Sequence, residues 1–418
     1  MLFKEFKLQL FLQPASVAIV ACFVVGYLGL VQLRRWQHYH RVHAKYQKKY
    51  EDGELTPDEA QKVMELSATY DMPVVVYIGV VVGAIQVYCI PSISKLLVST
   101  KQLGNIENVG RRYADMEILI DTFLYCPLSG FRDISQRVDK DPPAEDPRAN
   151  ISIARVNFLH SRYKIANDDY LWTLYCSIIG PIDSVNLYGW RNLSPMERDS
   201  RFIVWAEVAR RMGIKDLPAS LDDLIAWANA YEEERIVPSK ANYIVTKNTI
   251  DDAVVSIPRI LGLRSLVEGV FICLLGDRIR GAMMLPAQPW YIHAFVKLVM
   301  FITTFSQRWL LLPRSQPDYP TIHVNIPQQS FSKRAHTTAS RFKPWYKPES
   351  TGFQNVIDRL HVKMGFTETV PSKQYKSEGY RLEELGPVQF EKLGQEDVFK
   401  DAERIQGCPI PSYYWHRE

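Results

Sequence analysis

The chain has 418 residues, of which 47% are hydrophobic, so it is long enough to bury one large core or two ordinary ones. Its 50 basic and 46 acidic residues nearly cancel to a formal charge of +4, so no overall field favours nucleic acid as a partner. The six cysteines include no C-x-x-C pair, which argues against a zinc ribbon or a disulfide framework and favours buried thiols.

The N-terminal region predicts a transmembrane anchor. Residues 8–33 carry no formal charge and contain the apolar run VAIVACFVVGYLGLV, which is long enough to cross a bilayer. No small-x-small cleavage site follows, so an anchor is favoured over a cleaved signal peptide. Residues 34–71 are predicted to be a basic juxtamembrane segment and a linker helix that begins at Pro57. The positive charge of this segment would hold it in the cytoplasm.

A second apolar segment, residues 72–98, leaves the number of membrane spans open. If it crosses the membrane, the rest of the chain returns to the lumen. Gln86 and Pro91 near its end instead favour a helix that dips into the membrane or packs on the domain. We therefore expect one span. The sequons at Asn150 and Asn192 offer a test, because only a lumenal domain can be glycosylated.

Helix signals dominate residues 99–314. Ser194 begins a capping box followed by an apolar stripe that Gly213 closes, and Ser220 begins another helix. This pattern predicts an all-α domain of about eight to ten helices. Its apolar stretch at residues 285–305 is interrupted by charged and polar side chains, so we expect a buried or membrane-facing helix rather than a span.

Residues 315–418 are predicted to be a partly irregular C-terminal extension. After Pro313 the composition becomes polar, basic and proline-bearing, which is typical of an extended surface segment. One amphipathic helix, from Phe353 to about Met364, is expected to dock back on the domain.

Common catalytic signatures are absent from the sequence. It contains no G-x-x-x-x-G-K-[ST], no G-x-G-x-x-G, no H-E-x-x-H and no G-x-S-x-G. Nucleotide binding, zinc proteolysis and α/β-hydrolase chemistry are therefore disfavoured.

His160 is the histidine that a helical wheel places on an inward face, with Ile153 and Val156. A hydrogen-bonded core imidazole is the ordinary interpretation, and a ligand is the alternative. Arg155 and Arg162 lie on the other side of this helix. We expect them to form salt bridges between helices or to contact lipid headgroups.

Several segments resemble the family of the ER-bound oxygenase MpaB and the latex-clearing rubber oxygenases. They are RYADMEIL from Arg112, ARVNFLHSRYKIANDDYLWTLY, PIDSVNLYGWRNLSPMER, GDRIRGAMMLPAQPW and LLPR. The resemblance covers roughly residues 91–314. It implies a globin-like helical core, residence in the endoplasmic reticulum membrane and a b-type haem held by a helical histidine.

The resemblance also implies roles for individual residues. His160 matches the iron ligand, and its second nitrogen should donate to a carbonyl or a carboxylate. Arg112 matches a distal arginine that would orient oxygen or stabilise negative charge, although a salt bridge to Asp115 is the alternative. Met116 stands one turn later, where the family commonly has threonine, so it would face the cofactor without a hydroxyl donor.

The sequence thus predicts a membrane-anchored, haem-dependent oxygenase that cleaves a carbon-carbon double bond of a lipophilic, isoprenoid-like substrate with O₂. The catalytic domain is expected on the cytosolic side, with residues 285–305 as a possible substrate portal. One alternative is a catalytically inactive helical protein of the same fold that binds lipid or a partner. Another is an oxidoreductase of a different kind.

Overall fold

The structure is a computed structural model that describes residues 14–132, 145–258, 262–326, 333–410 and 414. Residues 8–13 of the predicted anchor lie outside these ranges. Across the described residues the chain is helical, with no strand beyond two isolated bridges, Phe131 to Glu145 and Ala335 to Tyr380. The predicted all-α class is confirmed, together with an N-terminal apolar helix.

The helices of the described ranges are, in chain order, α1 (Pro14–Arg35), α2 (Gln37–Glu51), α3 (Pro57–Glu65), α4 (Pro73–Gln86), α5 (Pro91–Ser99), α6 (Ile106–Tyr125), α7 (Arg148–His160), α8 (Asn167–Tyr188), α9 (Pro195–Arg211), α10 (Leu221–Arg235), α11 (Lys240–Val254), α12 (Leu263–Leu274), α13 (Asp277–Ala282), α14 (Trp290–Phe305), α15 (Gly352–Met364) and α16 (Gln395–Gln406). Wide π-helical turns at Leu66–Asp71 and Ser306–Leu310 follow α3 and α14.

Local sequence signals explain where several of these helices begin. The Thr56 side chain accepts from the backbone of Glu59, whose carboxylate reaches back to the backbone of Thr56. Ser194 and Glu197 form the same reciprocal pair at the start of α9. Each pair satisfies backbone donors that the first turn leaves free, so the predicted capping signals are confirmed.

Helix α1 has the length and surface of a membrane span. Its 22 residues extend about 33 Å at about 1.5 Å per residue. Phe23 and Leu33 are 75% and 77% exposed, which is unusual for large apolar side chains in water. The Tyr27 hydroxyl donates to the carbonyl of Leu310 at 2.7 Å, so α1 is attached to the turn that follows α14.

Helix α14 buries one face and leaves the other apolar and exposed. Val296 and Met300 are buried, whereas Trp290 and Phe301 are 80% and 66% exposed. The 16 residues extend about 24 Å, which is short of the hydrocarbon thickness of a bilayer. The prediction that residues 285–305 do not form a span agrees with this arrangement.

Helix α4 packs closely on α8 at glycines. A Cβ on Gly79 would lie 2.5 Å from the carbonyl oxygen of Gly180, and one on Gly83 would lie 2.4 Å from that of Cys176. Together with the 111° bend between the segments 57–71 and 73–89, this packing supports the expectation that residues 72–98 pack on the domain.

The sequon at Asn150 cannot report the side of the membrane in the folded chain. Asn150 is fully buried and donates to the side chain of Gln406 at 3.0 Å. Asn192 is exposed, so it alone of the two sequons offers a usable reporter.

The C-terminal extension differs from its prediction in two respects. Its segment after residue 333 is extended but not confined to the surface, because Tyr346 is 2% exposed and contacts α6. Helix α15 contains no buried residue, and its apolar Phe353 and Val356 are exposed, so it does not dock as expected. These outcomes depend on contacts between distant parts of the chain, which local patterns do not encode.

Arg155 is the main connection between α7 and this extension. Its buried guanidinium donates to the carbonyls of Leu385, Phe390 and Leu393 at 2.7 to 3.0 Å. The expected salt bridge or headgroup contact is therefore wrong for Arg155. Arg162 lies 4.4 Å from the ring centroid of Phe158, so it forms a cation–π contact.

Candidate functional site

An apolar chamber of about 790 Å³ lies between α4, α6, α11 and α12. Its volume is within the range of small-molecule sites, about 300–1,000 Å³. Aliphatic and aromatic side chains supply most of its surface, among them Val74 and Val80 of α4, Ile120 of α6, and Val267 and Phe271 of α12. Such a surface suits a lipophilic ligand, since removing apolar area from water is favourable.

Four charged side chains and one phenol lie on one part of the chamber surface, which we call the polar wall: Glu117, Asp121, Arg201, Arg341 and Tyr125. Arg341 forms an ion pair with Glu117. Arg201 donates to the hydroxyl of Ser67 at 2.9 Å. The pKa of Asp121 is raised to about 7, first by burial and then by the neighbouring charge of Glu117, while a hydrogen bond with Thr321 and the charge of Arg341 oppose both effects.

Two atoms of the polar wall are inaccessible to water and have no hydrogen-bond partner in the described structure. They are Oδ2 of Asp121 and Nε of Arg201. Buried polar atoms are normally paired, so each unpaired one calls for an explanation. Sequence reasoning overlooked both residues, although an acid at position 121 within the apolar run ILIDTF was a usable signal.

A chain of hydroxyl groups crosses from the core to the chamber. The hydroxyls of Tyr88 and Tyr113 lie 2.8 Å apart, and that of Tyr113 donates to Thr249 at 3.3 Å. Tyr113 and Thr249 both line the chamber. These groups can relay hydrogen bonds to a bound ligand.

His160 lies away from this chamber. It is the last residue of α7, its ring is 5.6 Å from that of Tyr170, and it borders a second pocket of about 640 Å³. Burial, and then the charge of Arg112, lower the pKa of His160 to about 4, so the imidazole is neutral at pH 7. Its Nδ1 is buried without a partner in the described residues.

The pocket beside His160 is rich in charge. Its lining includes Glu207, Arg210, Arg211 and Asp401, which are joined in part by ion pairs along α9. Fewer aliphatic side chains line this pocket than line the apolar chamber.

Arg112 and Met116 take different positions from those the resemblance implies. Arg112 is half-buried on α6, near enough to His160 to act on its charge. Met116 lines the apolar chamber, which His160 does not border. The salt bridge considered for Arg112 is made by its neighbour: Arg111 lies 3.8 Å from Asp115.

These residues do not fit a haem held by His160 with Met116 on its open face. A neutral imidazole is a suitable donor for iron, but a haem slot is largely apolar and its axial histidine usually donates its second N–H. Here the surrounding pocket is charged, Nδ1 has no acceptor, and the two residues border different cavities. Haem b stays a prediction of the resemblance, and no step below depends on it.

Histidines elsewhere do not assemble a metal centre within the described ranges. His38 and His43, which follow α1, contact the carbonyl of Arg314 and the hydroxyl of Ser194 at 3.1 and 2.9 Å. Both contacts attach α2 to the domain.

Comparison with known families supplies the remaining observation. The family described as "ER-bound oxygenase mpaB/B'/Rubber oxygenase, catalytic domain" matches residues 143–303, from before α7 to near the end of α14. Over this range the chain is similar to the family. His160 and Arg201 lie inside the matched range, whereas Arg112, Met116 and Asp121 precede it.

Three fungal relatives extend the similarity. The chain is 24% identical over 404 residues to ER-bound oxygenase mpaB′ of Penicillium brevicompactum, covering 91% of this chain and 90% of the relative. It is 25% identical over 289 residues to ER-bound oxygenase mpaB of Penicillium roqueforti, which covers 65% of this chain and 91% of the relative. It is 27% identical over 238 residues to ER-bound oxygenase mpaB of Penicillium brevicompactum, which covers 53% of this chain and 57% of the relative. These similarities to oxygenases support an oxidoreductase role.

Proposed function

We propose that this protein is a membrane-anchored oxygenase that cleaves a carbon-carbon double bond of a lipophilic, isoprenoid-like substrate with O₂. The reaction balances without an added reductant, because the two oxygen atoms become the carbonyl oxygens of the two fragments. The apolar chamber carries this proposal, since its size and surface suit a hydrocarbon chain. The chamber also excludes water from the reacting bond.

The route from the bilayer runs beside α12. Val267 and Phe271 of this helix line the chamber, and its Gly269 packs against Ile292 of α14. No residue of 285–305 lines the chamber, so α14 is not itself the portal that the sequence suggested. Its exposed apolar face instead positions α12 at the membrane surface.

The proposed location is the endoplasmic reticulum membrane, with a single span and the catalytic domain in the cytosol. The relatives are named ER-bound, and among the residues that the structure describes α1 is long and apolar enough to span a bilayer by itself. Arg34, Arg35 and the lysines of α2 follow α1 directly, which favours a cytosolic domain under the positive-inside rule.

Haem b, with His160 as its iron ligand and Arg112 acting on bound oxygen, is the cofactor arrangement that the family resemblance predicts. A bound haem would supply the activation of O₂. The chain's own contribution is to bind the substrate, orient it and exclude water. Because the oxidising centre must touch the reacting bond, ligation at His160 would require the charged pocket and the chamber to become continuous.

A second candidate function is lipid or partner binding without catalysis. The separation of His160 from Met116 favours it, since the predicted cofactor residues do not meet in one cavity. This candidate shares the chamber and the membrane attachment with the oxygenase.

Two measurements on the full chain in lipid nanodiscs decide between the candidates. The first is incubation with prenylated substrates under ¹⁸O₂, for which we expect label in both carbonyl products. The second is a visible spectrum with metal analysis, for which the haem prediction expects a Soret band that His160→Ala removes. A folded protein that turns over no substrate and carries no iron supports the binding function. Turnover that survives His160→Ala places the oxidising centre elsewhere.

A further inference from the structure

Helix α15 directs its apolar side chains toward the solvent. Four of them are between 44% and 78% exposed: Phe353, Val356, Leu360 and Met364. At 100° per residue these side chains fall within about 80° of one another, so they form one stripe along the helix, which we call the outer stripe. A surface helix normally buries such a stripe in its own core, whereas none of the 13 residues of α15 is buried. What covers the outer stripe therefore lies outside the described chain.

Basic side chains border the outer stripe. Arg359 and Lys363 lie along one of its edges, and both are exposed. Asp358, the acid of this helix, lies on the opposite side. This arrangement is typical of a helix in the headgroup region of a bilayer, because long basic side chains beside an apolar stripe reach the lipid phosphates. The charges of α15 therefore favour a surface that is apolar inside and anionic at its edge.

Both ends of the segment that carries α15 are attached to residues 340–343, which line the apolar chamber. Before the helix, the ammonium of Lys347 donates to the hydroxyl of Ser340 at 2.9 Å. After it, the backbone N–H of Glu368 donates to the carbonyl of Phe342 at 2.8 Å. Helix α15 is thus held beside the chamber, although it buries nothing against the core.

The same segment adjoins helices that expose apolar surface. Arg341 pairs with Glu117, and the charges of both act on the phenol of Tyr77 on α4, so the three side chains are neighbours. Tyr77 is exposed. Other residues of α4 pack in one cluster with Val296 and Met300 of α14. From α14 through α4 to α15, neighbouring elements therefore each present apolar side chains to the outside.

A bilayer fits the outer stripe better than a second copy of the chain does. The 13 residues of α15 extend about 20 Å, and a helix is about 10 Å wide. Two such faces packed together would bury about 400 Å², well below the roughly 1,000 Å² that a specific interface needs. A bilayer contact needs no such area, because α1 is long and apolar enough to hold the chain at the membrane.

We propose that α15 is a membrane-binding helix that lies in the surface of a bilayer containing anionic lipid. The outer stripe enters the boundary between headgroups and acyl chains, and Arg359 and Lys363 contact the phosphates. This contact is separate from the span of α1 and does not depend on oxygenase activity. It holds residues 340–343, and with them one side of the chamber, at the membrane surface.

Photolabelling from the lipid tests this contact. The full chain is placed in nanodiscs, one copy to a disc, whose phosphatidylserine and phosphatidylcholine carry a diazirine on an acyl chain. Labelled peptides are then identified by mass spectrometry. Peptides of both α1 and α15 should be labelled. Val356→Glu combined with Leu360→Glu should lower the labelling of α15 at least tenfold and leave that of α1 unchanged, because burying these charges is costly.

Two further variants complete the test. Val388→Glu is the matched control, because Val388 is an apolar side chain of the same extension that is 67% exposed outside α15. It should leave the labelling of α15 unchanged. Arg359→Glu combined with Lys363→Glu keeps the outer stripe and should lower the labelling of α15 at least fivefold, since each base near an anionic surface contributes about 1 kcal/mol. All the altered side chains are exposed, so the unfolding temperature should not move.

Several outcomes would overturn the proposal. One is an unlabelled α15 in discs where α1 is labelled, and another is labelling that persists in Val356→Glu with Leu360→Glu. A third is cross-linking of α15 to α15 in discs with two copies while lipid labels neither, which would make the outer stripe a contact between copies. Labelling requires no turnover, so a labelled α15 in an inactive chain refutes only the oxygenase. Turnover with an unlabelled α15 refutes only the membrane contact.

Discussion

The hydroxyl of Tyr346 donates to Oδ1 of Asp115 at 2.5 Å, across 231 residues of sequence. The backbone N–H of Gly386 donates to the other oxygen at 3.2 Å. Asp115 is 1% exposed on α6, next to Met116, which lines the chamber. The C-terminal extension thus forms part of the buried core that holds α6 in position.

Removal of this hydroxyl should destabilise the protein. Tyr346→Phe leaves a buried carboxyl short of one donor, for which we expect a loss of about 1–3 kcal/mol in the free energy of unfolding. Denaturant unfolding in detergent measures it. Tyr243→Phe on the exposed side of α11 is the control, with an expected change within about 0.5 kcal/mol. Equal effects of the two variants would contradict a structural role for the Tyr346 hydroxyl.

The contact between α4 and α8 should tolerate no side chain at Gly79. A Cβ there would meet the carbonyl oxygen of Gly180 at 2.5 Å and the Cα of Pro181 at 2.6 Å, and neither backbone atom can move aside alone. Gly79→Ala should therefore cost about 1–3 kcal/mol through overpacking. Thermal unfolding tests this value.

Gly281→Ala provides the matched control. Gly281 is also helical but has nothing within 4 Å of an added Cβ. Alanine there should be neutral or stabilising by up to about 1 kcal/mol, since glycine is the poorer helix former. A loss at Gly281 as large as that at Gly79 would show that the close helix contact is not the cause.

Asp121 should make the stability of the ligand-free protein depend on pH. Its pKa of about 7 in the folded chain lies above the value of about 3.9 expected after unfolding. The folded state therefore holds this proton more tightly, so its stabilising effect is present below about pH 4 and is lost as the pH rises through about 7. Between pH 5 and pH 8 the loss should be on the order of 1–3 kcal/mol.

Asp121→Asn should remove this part of the pH profile, because the amide does not titrate. Denaturant unfolding at a series of pH values compares the variant with the unmodified chain. The two curves should converge at acidic pH, separate as the pH rises from about 4 to about 7 with the variant the more stable, and run parallel above that. Parallel curves across the whole range would show that Asp121 has an ordinary pKa.

Membrane topology is predicted to be single-span with a cytosolic domain. In intact microsomes, a C-terminal tag should be digested by added protease, and exposed Asn192 should stay unglycosylated. A sequon placed before α1 is the positive control and should be glycosylated. Protection of the tag together with modification of Asn192 would show that the domain is lumenal.

Local signals in the sequence were enough to predict the helical class, the helix start at Pro57, the capping residue Ser194, and the apolar character of α1 and α14. These features depend on neighbours within one or two turns. The inward side of His160 was likewise a local inference from the helical wheel. Which cavity that side borders depends on how α7 packs against other helices, and the wheel contains no such information.

The polar wall likewise could not be predicted from local sequence signals. Glu117 and Asp121 are close in sequence, but Arg201 and Arg341 reach the wall from α9 and from the C-terminal extension. Long-range packing alone brings these four charges together. The unpaired atoms of Asp121 and Arg201 become visible only after every other buried donor and acceptor has been matched.

The backbone contact of α4 with α8 also limits how the chamber adapts to its occupant. Because the backbones of α4 and α8 are in contact at Gly79 and Gly180, α4 cannot move toward α8 to enlarge the chamber, whose opposite side includes α12. That helix is backed by α14, whose outer surface is apolar. If these helices lie at the membrane, any outward movement of α12 would have to displace lipid, so we expect the size of the molecules that fit the chamber to vary with bilayer thickness.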